Sequence, residues 1–356
     1  MKILVIGPSW VGDMVMSQSL YKALKSNHPD SELHVMAPAW CVALLERMPE
    51  VDKAIPMPLG HGDFKLGARR RLGKQLAAEQ YDQAIIQPNS MKSALIPWFA
   101  RIPVRTGWKG ESRYGLLNDL RSNKSAFPLM VEAYLALAYP KAQMKSRSDI
   151  PFIPHPSLHV DLVNQDKALE RLGLNRARPV LVLCPGAEFG PAKRWPEGHY
   201  AVVAQKHLDE GWQVWIFGSG KDVDVANTIR DRINPLSRPN CHVLAGKTSL
   251  HEAIDLMALA GRVIAEPLAI AVVAVDRPVE FVGTGLGHGV NHRAGGAGDG
   301  HIVRSQVDVE RFDRIHRHRL AAGRHVVAFQ AEGVAGRDAV DADGVVAGVL
   351  AAGADA

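Results

Sequence analysis

Residues 2–24, "KILVIGPSWVGDMVMSQSLYKAL", decide the reading of this chain. An apolar run without alternation, Ile3-Leu4-Val5-Ile6, reads as a strand covered on both faces. Gly7 and Gly12 follow it and open a helix. That is the spacing of a phosphate-binding loop, G-x-x-x-x-G-K-[ST]. Asp13, however, stands where the lysine would be, and Met14 where the hydroxyl would be. A carboxylate at that tip repels phosphate, so a nucleotide triphosphatase is excluded. The glycines still let another molecule approach the backbone closely. Two roles remain for Asp13. It is a general base that takes a proton from a substrate hydroxyl, or it is the N-cap of the helix.

The same strand–turn–helix pattern recurs outward. Strands are predicted at residues 2–7, 32–36 and 81–87, with helices at 13–26, 38–48 and 92–100. Proline density rises at 150–156, "IPFIPHP", and marks a linker. The pattern then restarts, with strands at 179–184, 212–217 and 241–245 and helices at 198–210, 221–233 and 249–260. Short connections and apolar strands predict two doubly wound parallel α/β domains in series. Such pairs bind ligand at the carboxyl ends of their strands.

Bulk properties agree with a globular chain of 356 residues, 47% hydrophobic and 22% charged. No run is long and apolar enough to predict a membrane span, and the chain enters its first strand without an apolar leader. Cys41, Cys184 and Cys241 are too few and too dispersed for a disulfide framework or a zinc site. Reduced thiols and a cytoplasmic location are the expectation. A net charge of +5 fits an anionic partner or, equally, a solvated surface with a mild basic bias. The basic residues are dispersed and lack interleaved aromatics, so nucleic acid is not expected.

Two further turns carry chemistry. "CPGAEFGPAKRWP", residues 184–196, places Gly186, Gly190, Lys193 and Arg194 between a strand and a helix. Glycines and cations together suit a diphosphate cradle that needs no metal. The alternative is a basic surface loop anchored by Trp195. "FGSGKDVD", residues 217–224, offers Asp222 or Asp224 to ribose hydroxyls after Gly218, or else as helix caps. Candidate grips for an anionic acceptor are Lys92, Arg105, Lys109 and Arg113.

Together these residues resemble the ADP-heptose-dependent lipopolysaccharide heptosyltransferase family, glycosyltransferases of the GT-B fold. The matching phrases are "MKILVIGPSWVGDM", "MAPAWC", "MPEVDKAIPMPLGHG", "RTGWKGESRYGLLND", "CPGAEFGPAKRWP" and "FGSGKD", spread over residues 1 to 260. The resemblance implies two facing Rossmann-like domains. Residues 1–155 would hold the acceptor and 156–285 the ADP-sugar. It implies inverting transfer of L-glycero-D-manno-heptose from ADP-heptose to the first heptose of heptosyl-Kdo2-lipid A. That acceptor is phosphorylated and lipid-linked, so the enzyme would work peripherally at the cytoplasmic face of the inner membrane. By position, Asp13 beside Gly12 would be the base, Lys193 would hold the diphosphate, Asp224 the ribose, and the backbone near Thr248 the adenine. No cofactor or metal is expected beyond the donor.

The chain departs from the family after residue 261. From Arg262 onward there is no Lys, Trp, Tyr, Cys or Met. Where the family has an Asp-Ser/Thr-Gly-x-x-His segment, residues 263–278 read "VIAEPLAIAVVAVDRP". Residues 286–356 therefore read as an atypical low-complexity tail, frame-shifted or disordered. A noncatalytic nucleotide-sugar-binding homologue is the alternative function.

Overall fold

The computed structural model describes residues 1–60, 62–186, 195–265 and 280–283. The expected tail at 286–356 lies outside them. The first sheet contains β1 (Lys2–Ile6), β2 (Glu32–Pro38), β3 (Lys53–Met57), β4 (Gln83–Ile86), β5 (Val104–Trp108) and β6 (Asp119–Arg121). The spatial order is β3-β2-β1-β4-β5-β6, and every pairing is parallel. In β1, Ile3 pairs with Leu33 on one side and Gln83 on the other.

Its helices are α1 (Val11–Asn27), α2 (Val42–Leu45), α3 (Leu66–Leu76), α4 (Met91–Phe99) and α5 (Met130–Leu135). Side chains alternate between faces along a strand, and the core divides accordingly. Ile3 and Val5 pack with Leu20, Tyr21 and Leu24 of α1 and Ala133 and Tyr134 of α5. Leu4 and Ile6 pack with Leu76 of α3 and Ala94 and Ile96 of α4. The helix expected at 38–48 is reduced to a 3-10 turn, Ala39–Cys41, and the four residues of α2. Strand β3 and helix α3 escape a reading based on apolar runs. β3 is a half-exposed edge carrying Pro56, and α3 carries four cations in eleven residues.

The second sheet repeats the plan. It contains β7 (Val180–Cys184), β8 (Gln213–Ile216), β9 (Cys241–Val243), β10 (Ala260–Ala265) and β11 (Glu280–Gly283), in the order β11-β10-β7-β8-β9, again all parallel. Helices α6 (Leu162–Leu172) and α9 (Leu250–Met257) cover the Val180, Val182 and Trp215 face. Helices α7 (Glu197–Asp209) and α8 (Val223–Asp231) cover the Leu181, Leu183 and Ile216 face. The Asp161 side chain accepts from the amides of Val163 and Asn164 to start α6, and Gly173, at φ 64°, ends it.

The proline-rich connection is strapped along α1. Gln18 exchanges two hydrogen bonds with the backbone of Ser157, at 2.7 and 2.8 Å. Ser19 Oγ donates to the Pro154 carbonyl at 2.6 Å, and Lys22 Nζ to that of His155 at 2.9 Å. Beyond it, α9 reaches back to the first domain. Ile254 joins the core cluster that contains Met14, and Leu250 packs against it.

Helix α3 lies close on α4 because residue 73 is glycine. A Cβ there would meet Phe99 Cβ at 2.5 Å and the Ile96 carbonyl at 2.8 Å. At Gly67, on the same helix, an added Cβ meets nothing within 4 Å. Gly73→Val is expected to destabilise by about 1–3 kcal/mol through overpacking. Gly67→Ala should stabilise by roughly 0.5–1 kcal/mol through helix propensity. Urea midpoints of the two variants beside the parent check both signs, and equal effects would contradict the packing.

Candidate active site at the carboxyl edges of the two sheets

Asp13 does not cap its helix. Trp10, with extended backbone (ψ 143°), is the N-cap of α1, and Asp13 falls two residues inside the first turn after Val11 and Gly12. Its side chain is 8% exposed, and Oδ1 is enclosed without a hydrogen-bond partner among the described residues. Burial pushes this carboxyl up to about 6, with Lys124 pulling the other way. A buried chain of hydrogen bonds fixes the turn. Ser17 Oγ donates to the Asp13 carbonyl at 2.7 Å, and Gln87 Nε2 donates to Ser17 Oγ at 2.8 Å. Gln87 directly follows β4. The pair β1 and β4 is where the order of this sheet reverses, so Asp13 stands at the crevice of a doubly wound fold. Gly7 leaves room for the end of the Met14 side chain, whose Cε would lie 2.8 Å from a Cβ added there.

The acceptor candidates separate once folded. Lys92 is the second residue of α4, and its carbonyl accepts from Arg69. It therefore shares the carboxyl edge with Asp13. Lys109, just past β5, lies over the Tyr114 ring at 6.0 Å. Arg105 sits near the amino end of β5, at the opposite edge of the sheet, and donates to the carbonyls of Leu116 and Ile102. Arg113 is 1% exposed. It donates to the Pro88 carbonyl at 2.6 Å and to the Trp108 carbonyl, and burial lowers its pKa to about 10. Arg113 props the loops after β4 and β5 from beneath instead of presenting charge to a ligand. Gln87 and Asn89 escaped the sequence reading. Each keeps an enclosed amide oxygen without a partner among the described residues, and the segment "QPNS" after β4 was the available signal.

In the second domain the glycine turns gather at the corresponding edge. Gly186 follows β7, and a Cβ on it would meet the Asp222 carboxyl at 2.8 Å. Gly218 follows β8 and would meet Asp222 Cβ at 2.7 Å. These glycines make room for Asp222, whose Oδ2 accepts from Ser219 N and Oγ, each at 2.7 Å. Asp222 is thus a cap, while Asp224 is exposed in the first turn of α8. Gly246 has φ +70°, a Cβ on it would meet Gly220 Cα at 3.2 Å, and its amide donates to the Gly218 carbonyl at 3.0 Å. Thr248 is half-buried beside it, one residue before Ser249 caps α9. Gly218 and Thr248 are therefore brought to one rim. Gly190, Lys193 and Arg194 lie outside the described residues. Trp195 packs on Tyr200 and His199, with ring centroids 5.0 and 5.2 Å apart.

Two parallel doubly wound sheets in one chain, each with its crevice at the carboxyl edge, have the architecture of the GT-B-type glycosyltransferases. The family model of glycosyltransferase family 9 (heptosyltransferase) matches residues 69–279, and the chain belongs to that family. Lipopolysaccharide heptosyltransferase 2 of Salmonella typhimurium is 52% identical over 283 residues, covering 78% of this chain and 81% of the relative. Lipooligosaccharide heptosyltransferase 2 of Haemophilus influenzae is 52% identical over 285 residues, covering 78% and 82%. The solved structure of E. coli ADP-heptose LPS heptosyltransferase II is 49% identical, with a TM-score of 0.72 over 80% of this chain and 84% of that one.

The raised carboxyl of Asp13 has a consequence for stability. Its folded pKa near 6 lies above the ordinary 3.8, so ionisation disfavours the folded state. Stability contributed by the protonated form is present below about pH 4 and is lost as pH rises through 6. Asp13→Asn should therefore be more stable than the parent at pH 8, by up to roughly 3 kcal/mol, with the gap closing near pH 4. Thermal melts at the two pH values check this. A parent that is the more stable at pH 8 would mean that the carboxylate is held by partners.

Proposed function

We propose that this enzyme transfers L-glycero-D-manno-heptose from ADP-heptose to the first heptose of a phosphorylated, lipid-linked inner-core acceptor, with inversion. The observation that carries the mechanism is the enclosed, partly orphaned carboxylate of Asp13 at the crevice of the first sheet. The names of relatives at about half identity support the reaction class. Asp13 takes the proton of the acceptor hydroxyl as its oxygen attacks the anomeric carbon. The bond from that carbon to the β-phosphate oxygen breaks, and ADP leaves with the electron pair. A base whose pKa is raised towards the working pH is well matched to this transfer. Lys193 and Arg194, aided by Gly186 and Gly190, would offset the charge of the departing diphosphate without a metal. Asp224, Gly218 and Thr248 would hold the nucleoside, and Lys92, on the same sheet edge as Asp13 and Gly12, the anionic acceptor.

Among the described residues no helix is long and apolar enough to cross a membrane. The lipid-linked acceptor would be met by peripheral contact at the cytoplasmic face of the inner membrane.

The test is heptose transfer from ADP-heptose to heptosyl-Kdo2-lipid A. The parent should be active, with a rate that falls as pH drops through about 6. Asp13→Ala should lose on the order of 10²–10⁴-fold. ADP binding without transfer by the parent would instead give the noncatalytic homologue, and full activity in the variant would remove Asp13 from the chemistry.

A further inference from the structure

Residues 64–78 read "FKLGARRRLGKQLAA", with Lys65, Arg69, Arg70, Arg71 and Lys74 and no carboxylate. The fold sorts these cations. Arg69 is 4% exposed and points inward. Its Nε donates to the Phe64 carbonyl and one Nη to that of Asp63, each at 2.7 Å, and the other Nη to that of Lys92 at 3.1 Å. It staples the head of α3, and the loop before it, to the first turn of α4. Gly73 and Leu76 complete the inner face. Arg70, Arg71 and Lys74 are exposed on the outer face. Among the described residues none of the three makes an ion pair. Phe64 and Leu66, at the head of the helix, are 48% and 46% exposed.

Single exposed apolar residues are ordinary. Two bulky ones at the head of a helix whose exposed charges are all cations make a different pattern. Cations attract anionic headgroups, and apolar side chains sink into the boundary beneath them. The position fits as well. Helix α3 starts at the carboxyl edge of the first sheet, where Arg69 ties it to Lys92, and that is the edge of Asp13. A surface held there brings a lipid-linked hydroxyl towards the base without lifting its anchor from the bilayer.

We propose that the outer face of α3, with Phe64 and Leu66, docks the enzyme on an anionic lipid bilayer. The proposal rests on the lipid-linked acceptor put forward above. The occupant is the lipid surface itself, because the charge is spread along a helix face and is not gathered into a pocket.

The experiment uses the full chain and reads binding and transfer separately. Sedimentation with vesicles of phosphatidylcholine, with and without phosphatidylglycerol, should show binding only to the anionic vesicles, reversed by salt. The triple variant Arg70→Glu, Arg71→Glu, Lys74→Glu should weaken that binding by about 100-fold or more. Phe64→Ser with Leu66→Ser should weaken it less, and at all salt concentrations. The triple variant should keep the parent kcat/KM on a deacylated, water-soluble acceptor and lose activity on acceptor embedded in anionic vesicles. Unchanged vesicle binding in the triple variant would overturn the proposal. So would an equal loss on both acceptors, which would assign the cations to the phosphates of the acceptor. Vesicle binding needs no turnover, so a parent that binds but transfers nothing would refute the proposed reaction and leave the docking surface standing.

Discussion

A single buried carboxylate holds the two domains in one arrangement. Asp255 of α9 has no exposure to solvent. It accepts from Arg47 of the first domain at 2.7 Å, from Asn164 of α6 at 2.6 Å, and from the Asp161 amide of the connecting segment at 2.9 Å. Its backbone carbonyl accepts from Gln165 Nε2 at 2.5 Å. Desolvating a carboxylate costs several kcal/mol, on the order of what a complete set of charged and polar partners returns. Those partners come from two separate segments, Arg47 of the first domain and residues 161–165 at the head of α6. Only the assembled pair of domains satisfies the charge, so the carboxyl edge of the second sheet is fixed beside the first. His251 and Glu46, 2.8 Å apart, extend the contact towards the surface.

Asp13 shows the opposite treatment of the same side chain. It too is enclosed, yet Oδ1 has no partner among the described residues and its pKa rises. Folding surrounds the Asp255 carboxylate with donors, whereas folding around Asp13 destabilises the anion. The cost is local and is carried by the core beneath it, where α1 packs on the first sheet and the connection is strapped to its outer side. Perturbed carboxylates concentrate where proton transfer is done. The enclosed amide oxygens of Gln87 and Asn89 place two further underused acceptors in the segment that follows the neighbouring strand.

Much of this site was legible in the sequence, but unevenly. The glycine spacing before Asp13 located the crevice, because a strand, a glycine turn and a helix in succession admit few geometries. The basic residues misled. Arg105 and Arg113 read as grips for an anion, and both are spent on backbone carbonyls. A guanidinium in a loop looks the same whether its donors face a ligand or the underside of a neighbouring loop. Gly186 and Gly218 read as room for a ligand and proved to make room for Asp222. Strand β3 and helix α3 were invisible to a reading based on apolar runs, because an edge strand and a surface helix bury too little for periodicity to show.

The sequence by itself determined part of the alternation of strands and helices, the parallel doubly wound character of the two sheets, and the strand–turn–helix position of Asp13. Each follows from short-range constraints: apolar continuity in strands, helix periodicity and the conformational freedom of glycine. Only the tertiary structure decided which charges are spent and which are left over. It paired Asp255 with Arg47 across more than two hundred residues of chain. It turned Arg69 inward and left Arg70 and Arg71 facing out. It also withdrew Asp13 from water. Desolvation and long-range hydrogen bonding depend on what the rest of the chain brings alongside a residue, and no local stretch of sequence encodes that.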